Sequence, residues 1–449
     1  MTRIFSTKLG VLILFIYLVS SINVPPFSFP QFSIISITNY IRGISPIVCL
    51  PIILFLLKEK IFNIVNNRIL ILFFLYFLFQ LFGSFNNDKT NLLHSVYWVL
   101  SPITLVLFFF YLEQLKSQTQ IFIIRTWFII LFLIAAFFTI NLLYKFYSVD
   151  IIKIRDFYGF ETMDPNRIFL GSFVPRSSGL GRLNFIIFLI GFCFFIYSKN
   201  LNIKKYRLVI LAMLIFINFI NFKLESRIIT VSICLTMFFY LLPLDGVTIK
   251  NKIIKVLVIF FIPWLLFMLE GAIIKYTAEI TINNKPNIEN IEPDTIQFFD
   301  TFVLNVKNSR ILFSPNSSGR LTHWKNSIQH IRDNFAFGSG PQADRILIDE
   351  NISNMVLYGL LCGGVFSLLC LLSILVIICK SFYNKIFVMK IFIYKQNPMT
   401  FFAIFCIGFL IFRGVAENSF GVYSLDLITF LACSTQLKSF FEKSHSYQN

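Results

Sequence analysis

Charged side chains are scarce. Asp, Glu, Lys and Arg make up 14% of the 449 residues, against 57% hydrophobic residues and a mean hydropathy of +0.76. A water-soluble chain of this length keeps more charge to cover its surface, so an ordinary soluble domain is excluded. Paired loop cysteines are missing too. The eight cysteines (Cys49, Cys193, Cys234, Cys362, Cys370, Cys379, Cys406 and Cys433) all lie inside apolar runs. That excludes a disulfide framework and predicts buried apolar thiols. No Cys/His cluster has zinc spacing and no acidic pair suggests a metal site, so no metal and no cofactor is expected. There is no internal repeat and no low-complexity linker. A small-x-small cleavage site after the apolar run of Met1 to Ser21 is also absent, so this run reads as an uncleaved first helix.

What fills the chain is a series of apolar runs. They fall at about 9–27, 41–57, 69–85, 92–112, 121–147, 180–198, 207–223, 226–243, 253–274, 356–379, 398–415 and 419–436. Each approaches the length needed to cross a bilayer as a helix, and the shorter ones suit tilted or partly buried helices. The expected fold is all-α: one polytopic membrane helix bundle over 1–449 with about twelve transmembrane helices. The 58 phenylalanines are ordinary side chains in a hydrocarbon solvent, not a cofactor box.

The formal charge of +17 is spread through short loops, not gathered in a stripe, which argues against nucleic acid. Lysines mark alternate loops: Lys58 and Lys60 with Arg68, Lys116 with Arg125, Lys199, Lys204 and Lys205 with Arg207, Lys250, Lys252 and Lys255, then Lys380, Lys385, Lys390 and Lys395. With Arg3 and Lys8 near one end and Lys438 and Lys443 near the other, the bias places both termini in the cytoplasm. The opposite side carries two long loops, 148–179 and 275–353. The larger begins acidic, with Glu279, Glu289, Glu292, Asp294 and Asp300, and ends basic.

Arginine is conspicuous on that outer side. Arg155, Arg167, Arg176 and Arg182 lie in or beside the first loop, and Arg227 closes the short connection Leu224-Glu225-Ser226-Arg227. Arg310, Arg320, Arg332 and Arg345 lie in the large loop, and Arg413 with Glu417 in the last outer turn. These run against the positive-inside rule, so something must hold them there. Guanidinium is a planar fork of donors suited to phosphate oxygens, which points to an anionic ligand. Ion pairs with carboxylates or lipid headgroups are the plainer alternative.

The stretch from Gly319 to Phe335 has helical periodicity, with start signals at Pro315-Asn316-Ser317-Ser318. Leu321, Trp324, Ile328, Ile331 and Phe335 fall on one face, expected to dock on the membrane domain or lie at its interface. Arg320, His323, Ser327 and His330 fall on an adjacent face, which either looks into a cleft or is a solvated flank. Gly338-Ser339-Gly340 follows. Its glycines permit a tight turn beside a ligand or helix end.

In order and spacing these pieces resemble the O-antigen polymerase and O-antigen ligase superfamily of bacterial inner membranes. The family pattern is Gly-Arg, a Trp a few residues on, a Gly-x-Gly turn, then His-Asn-x-x-Leu leading into a span with a Gly pair. This chain has Gly319-Arg320, Trp324, Gly338-Ser339-Gly340, Ser353-Asn354-Met355-Val356-Leu357 and Gly363-Gly364. Ser226-Arg227 is similar to the family's Ser-Arg at an outer helix end, and Pro175-Arg176-Ser177-Ser178-Gly179 to its first-loop arginine motif. One departure matters: Ser353 stands where the ligases place His, which favours polymerase over ligase.

The resemblance implies a glycosyltransferase that joins repeat units carried on undecaprenyl diphosphate. Its partners would be a lipid-linked donor and acceptor, membrane lipids and a chain-length regulator protein. Diphosphate is a good leaving group, so the protein must align two lipids and stabilise developing negative charge. Arg227 and Arg320 are expected at the donor diphosphate, with Arg176 as a further catalytic candidate. Arg413, Arg182 and Asn354 are expected to bind substrate. His323, His330 and Glu417 are the candidate proton acceptors. Two other functions stay open. One is ligase-like transfer of glycan to lipid A-core. The other, of a different class, is a lipid-linked oligosaccharide flippase, which would carry ionisable groups near the midplane and often two similar halves. A structural membrane partner without chemistry would leave the outer arginines unexplained.

Overall fold

A computed structural model describes residues 2–21, 34–57, 67–86, 92–148, 177–198, 201, 203–223, 227–241, 249–269, 320–348, 352–384, 398–415 and 417–442. Among the described residues regular structure is entirely helical. In chain order the helices are α1 (Thr2–Ser21), α2 (Ile34–Leu57), α3 (Arg68–Gly83), α4 (Leu92–Gln114), α5 (Ser117–Ser148), α6 (Ser177–Ile196), α7 (Arg207–Lys223) and α8 (Arg227–Leu241). Then come α9 (Ile249–Val256), α10 (Arg320–Asp333), α11 (Ala343–Leu347), α12 (Met355–Tyr383), α13 (Pro398–Gly414) and α14 (Leu425–Glu442). Beyond α9 the chain passes through a π turn at Leu257–Phe261 into further helix at 262–269.

Every apolar run expected to span overlaps described helix, with residues 22–27 of the first run and 270–274 of the ninth among those that lie outside the described residues. Among the described residues six stretches are long and apolar enough to cross a membrane. They lie in α3, α4, α5, α7, α9 with its continuation, and α12. Shorter apolar stretches lie in α1, α2, α6, α8, α13 and α14. Phe55, Leu208 and Val376 are among many large apolar side chains turned outward, a surface that suits lipid and not water. Pro46 and Pro51 lie inside α2 and Pro102 inside α4, as membrane helices tolerate. Most of the first loop and the larger loop's acidic half lie outside the described residues.

The chain forms two compact units. The first comprises Met1–Asn23, Ile34–Ile130 and Ser317–Asn449. At its centre α3 runs along α12. A β-carbon on Gly359 would stand 3.2 Å from the Tyr76 ring, so the two helices approach closely. The Ser367 hydroxyl donates to the Tyr76 carbonyl at 3.2 Å, and the Tyr76 hydroxyl donates to the Gly421 carbonyl at 2.8 Å. Phe73 packs its ring 5.4 Å from Phe430 and 6.0 Å from Phe420. In α1 the Tyr17 hydroxyl donates to Thr104 Oγ1 on α4 at 2.6 Å. Such bonds satisfy hydroxyls that have no water to turn to. Asn67 caps α3, its side chain accepting from the Ile69 and Leu70 N–H groups, while its amide reaches Glu113 at the end of α4.

The second unit comprises Val24–Ser33 and Leu131–Asn316. Here Thr139 donates to Asn184 Oδ1 at 3.0 Å, joining the end of α5 to α6. The Asn218 amide on α7 donates to the Ile259 carbonyl at 2.8 Å. A π turn disturbs the regular carbonyl ladder, and this side chain takes up a carbonyl within it. Lys255 Nζ donates to the Tyr240 hydroxyl at 3.3 Å, and Lys252 Nζ stands 5.5 Å from the centre of the same ring.

Several helix starts differ from expectation, α1 and α2 each beginning seven residues before the expected run. The run expected from 253 starts as helix at Ile249, so Lys250, Lys252 and Lys255 ride on the first turns of α9. The last span, expected at 419–436, begins at Leu425, because Ser419–Gly421 forms a 3-10 turn first. The eight cysteines are free, but Cys234 and Cys379 are exposed on the apolar helix surface, not buried as expected.

Candidate functional site

The Gly-x-Gly turn and the Gly pair, far apart in sequence, dock on each other in the first unit. α12 is broken at Gly363 and Gly364, where the backbone leaves helical values. A broken helix in a membrane must find new partners for its freed backbone groups. The turn supplies them. Ser339 N–H donates to the Leu361 carbonyl at 2.8 Å, and Gly340 N–H to the Cys362 carbonyl at 2.9 Å. In return Val365 N–H donates to the Phe335 carbonyl at 3.0 Å. The approach is so close that only hydrogen fits. A β-carbon on Gly338 would lie 2.5 Å from the Gly364 nitrogen, and Gly338, Gly340 and Gly364 all have positive φ. Gly83 at the end of α3 closes the same junction; a β-carbon there would stand 2.7 Å from the Phe337 carbonyl oxygen.

This clasp holds α10 against α12. Trp324 Nε1 donates to the Ile352 carbonyl at 2.7 Å, and Ile331 packs with Ala343, Ile352, Tyr358 and Leu361. The buried side of α10 is not the apolar stripe read from sequence. Ser327 and Ile331 are buried, and Trp324, His323, His330 and Asn334 are half-buried, whereas Ile328 and Phe335 are exposed. The inward arc therefore takes half of the apolar face and all of the described polar face. His323, Ser327 and His330 turn toward the protein, not onto a solvated flank. The Ser327 hydroxyl is bonded back to the His323 carbonyl at 2.6 Å. Arg320 opens α10 two turns before Ser327, at a position on this same side by helical period; its side chain lies outside the described residues.

The first turn of α12 is a second gathering point. Asn354 is its cap: Oδ1 accepts from Leu357 N–H at 3.0 Å, and Nδ2 donates to the Val415 carbonyl at 2.8 Å. Asn354 N–H donates to Asn418 Oδ1 at 3.2 Å. Its side chain thus joins the helix end to the turn between α13 and α14. Ser353, before the cap, takes φ of 49°. Glu417 lies in the same turn, half-buried, its N–H bonded to the Arg413 carbonyl at 2.9 Å. Arg413 is buried and ion-paired with Asp426 of α14.

One residue escaped the sequence reading. Asp344 follows Gln342, whose left-handed φ of 60° turns the chain into α11. Its carboxylate is buried beneath Tyr358 and Cys362. Oδ2 accepts from Ile352 N–H at 3.5 Å, and Oδ1 has no hydrogen-bond partner. Burial pushes this carboxyl up to about 6, against the lowering pull of Arg345 and of backbone N–H groups. Nothing local singles out Asp344 in the sequence, where Gln342, Arg345, Asp349 and Glu350 are also polar or charged.

The remaining candidates belong to the second unit. Arg182 lies half-buried on α6 and Arg227 opens α8, both in the second unit; the Arg227 side chain and all of Arg176 lie outside the described residues. Among the described residues no group of three or more His, Cys, Asp or Glu comes together to hold a metal. The arrangement puts two half-buried imidazoles on one face of α10 and a half-buried glutamate in the turn that Asn354 joins. No family model matches the chain, and neither a curated protein nor a solved structure matches it.

Proposed function

We propose that the chain is a polymerase of O-antigen type, a membrane glycosyltransferase that joins undecaprenyl-diphosphate-linked repeat units on the outer face of a bacterial inner membrane. The observation that supports this most is the clasp. Gly338-Ser339-Gly340 and Gly363-Gly364, two pieces of the family-like pattern, bond to each other, and Trp324, a third, is tied to the residues just before Asn354. That these pieces meet in space supports reading them together. The proposal includes twelve spans, cytoplasmic ends and outer placement of loops 148–179 and 275–353.

In the reaction the bond between the donor sugar's anomeric carbon and the diphosphate oxygen breaks. An acceptor hydroxyl oxygen bonds to that carbon, and undecaprenyl diphosphate leaves with the electron pair. Arg320 stabilises the charge arriving on the diphosphate. The hydroxyl proton passes to His323, His330 or Glu417. Arg176, Arg182 and Arg227 remain arginine candidates of the second unit.

A second reading, a lipid-linked oligosaccharide transporter, is favoured by one observation: the buried Arg413–Asp426 pair between two apolar helices, a feature typical of transport pathways. The lipopolysaccharide ladder of a strain lacking the protein separates the readings. Core plus a single repeat unit is expected for a polymerase. No repeat on core would overturn that reading in favour of a ligase or transporter.

A further inference from the structure

We propose that α10 lies in the plane of the membrane surface, with Ile328, Phe335 and Phe337 seated at the acyl–headgroup boundary of the leaflet on the loop's side. Lys325 and Arg332 lie at the lipid phosphates. The helix has three sides. One side, centred on Ser327 and Ile331, is buried against the protein. A second, formed by Thr322, Asn326, Gln329 and Asp333, is polar and exposed, as water requires. Between them is a third side that fits neither. Ile328 is 44% exposed, and past the helix end Phe335 is 54% and Phe337 49% exposed.

These side chains are not an isolated patch. The Phe337 ring lies 5.6 Å from that of Phe366 on α12, which lies 5.4 Å from Phe79 on α3. Both helices are long and apolar enough to cross a membrane, and Phe366 is itself 40% exposed. At the end of α3, Phe82 and Phe85 are exposed too, beside Asn86, whose carbonyl accepts from Asn334 at 3.4 Å. The outward apolar surface of two spans thus continues without a break onto the loop. Lipid that covers Phe366 also reaches Phe337.

The charges agree with this placement. Lys325 and Arg332 are both exposed and stand about 40–60° round the helix from Ile328, on the side toward water. Long basic stems beside an apolar arc let the cation reach anionic headgroups while the stem covers hydrocarbon. The acidic residue of the helix, Asp333, is on the water side. The clasp at Gly338 and Gly364 fixes the same depth from the other end, because it bonds the turn to a break inside α12. The inference holds whichever reaction the protein carries out.

The test uses the full chain reconstituted into nanodiscs of phosphatidylcholine and phosphatidylglycerol. Tryptophan is added singly by Phe335→Trp or Ile328→Trp, with Gln329→Trp as the water-side control, and emission is compared with that of the unaltered protein. The added signal of the first two is expected to be quenched by lipids brominated high on the acyl chain and protected from aqueous iodide, with the reverse for Gln329→Trp. If Phe335→Trp does not fold, Ile328→Trp reads the same side. Quenching of both by iodide at the level of the control overturns the proposal. So does protection from both quenchers, which would mean that protein covers this face. Without phosphatidylglycerol the lipid quenching is expected to weaken, and in Lys325→Gln/Arg332→Gln that dependence is expected to vanish. If the dependence survives there, the two cations have no part in the anchor.

Discussion

Gly338 and Gly364 meet backbone against backbone, with room for hydrogen and nothing larger: a β-carbon on Gly338 would lie 2.5 Å from the Gly364 nitrogen. Both residues have positive φ. Gly338→Ala and Gly364→Ala are each expected to destabilise the first unit. Overpacking costs about 1–3 kcal/mol, and a left-handed backbone at a residue with a β-carbon adds about 1–2 kcal/mol. Gly408→Ala is the control, because nothing lies within 4 Å of a β-carbon there and the residue is in regular helix. Heat unfolding of the purified protein in detergent should show a clear loss for the first two and none for the third. Equal midpoints for all three would mean that the clasp does not hold the unit together.

Asp344 gives the fold a pH dependence of definite sign. Its folded-state pKa, about 6, lies above the ordinary carboxyl value of 3.8. The folded protein therefore holds this proton more tightly than the unfolded chain. The stabilisation is complete below about pH 4 and is lost as pH rises through about 6. By pH 8 the buried carboxylate costs on the order of 3 kcal/mol. Asp344→Asn removes the charge and keeps an acceptor for Ile352 N–H. Its unfolding midpoint should exceed that of the unaltered protein at pH 8 and match it at pH 4. A variant less stable than the parent at pH 8 would show that the ionised carboxylate is held by something stronger than its burial.

The helices were legible in the sequence because apolar runs stand out by hydropathy alone, and each run holds described helix; among the described residues six helices are long and apolar enough to cross a membrane. Helix ends were less so. Ser419–Gly421 is apolar enough to extend a span, but its backbone turns, and the hydroxyl of Ser419 bonds to the Leu410 carbonyl at 3.0 Å. The face of α10 was half legible. Periodicity put Trp324, Ile328, Ile331 and Phe335 on one face, expected against the membrane domain or at its interface; protein covers Trp324 and Ile331, whereas Ile328 and Phe335 are exposed. That rule assumes water on the other side. A helix with protein, lipid and water around it has two apolar directions, and sequence alone does not separate them. The partnership of Gly338 with Gly364 was not legible, since nothing local couples residues that meet only across a broken helix.

The large loop should face away from the cytoplasm. The lysines at 250–255 and 380–395 flank the spans on either side of it, and they set its side by the positive-inside rule. Asn290→Cys in whole cells should react with a membrane-impermeant maleimide, whereas the unaltered protein, with its cysteines in apolar helices, should react far less. Labelling of Asn290→Cys only after the inner membrane is opened would reverse the topology.

Arg413 and Asp426 should depend on each other. Both are buried between α13 and α14, where an unpaired charge has no water to turn to. Arg413→Met or Asp426→Leu alone is expected to cost about 3–5 kcal/mol, because each leaves its partner charged and unmatched. The double variant should recover most of this, since a well-packed apolar pair can replace a buried ion pair. Protein yield in membranes and heat unfolding in detergent read the effect. If the double variant is as stable as the parent but inactive, Arg413 also acts on substrate. If it is active, the pair is structural. Equal loss in all three variants would show that the two residues do not compensate one another.

Arg320 carries the sharpest test of the reaction. It opens α10 on the side where His323, Ser327 and His330 turn inward. The helix that carries it is fixed at both ends, by Trp324 on the Ile352 carbonyl and by the clasp beyond Asn334. A donor held in place before charge develops is worth more than a mobile one. Losing one typically slows a reaction by roughly a hundred- to a thousand-fold, or about 3–4 kcal/mol. Arg320→Ala should therefore reduce the polysaccharide ladder to single units while the protein stays in the membrane at normal level. Arg320→Lys should recover only part of the ladder, because an ammonium keeps the charge and loses the two-pronged fork. A solvated surface arginine behaves differently: its removal costs little and lysine replaces it fully. A full-length ladder from a normally expressed Arg320→Ala variant would take this residue out of the mechanism.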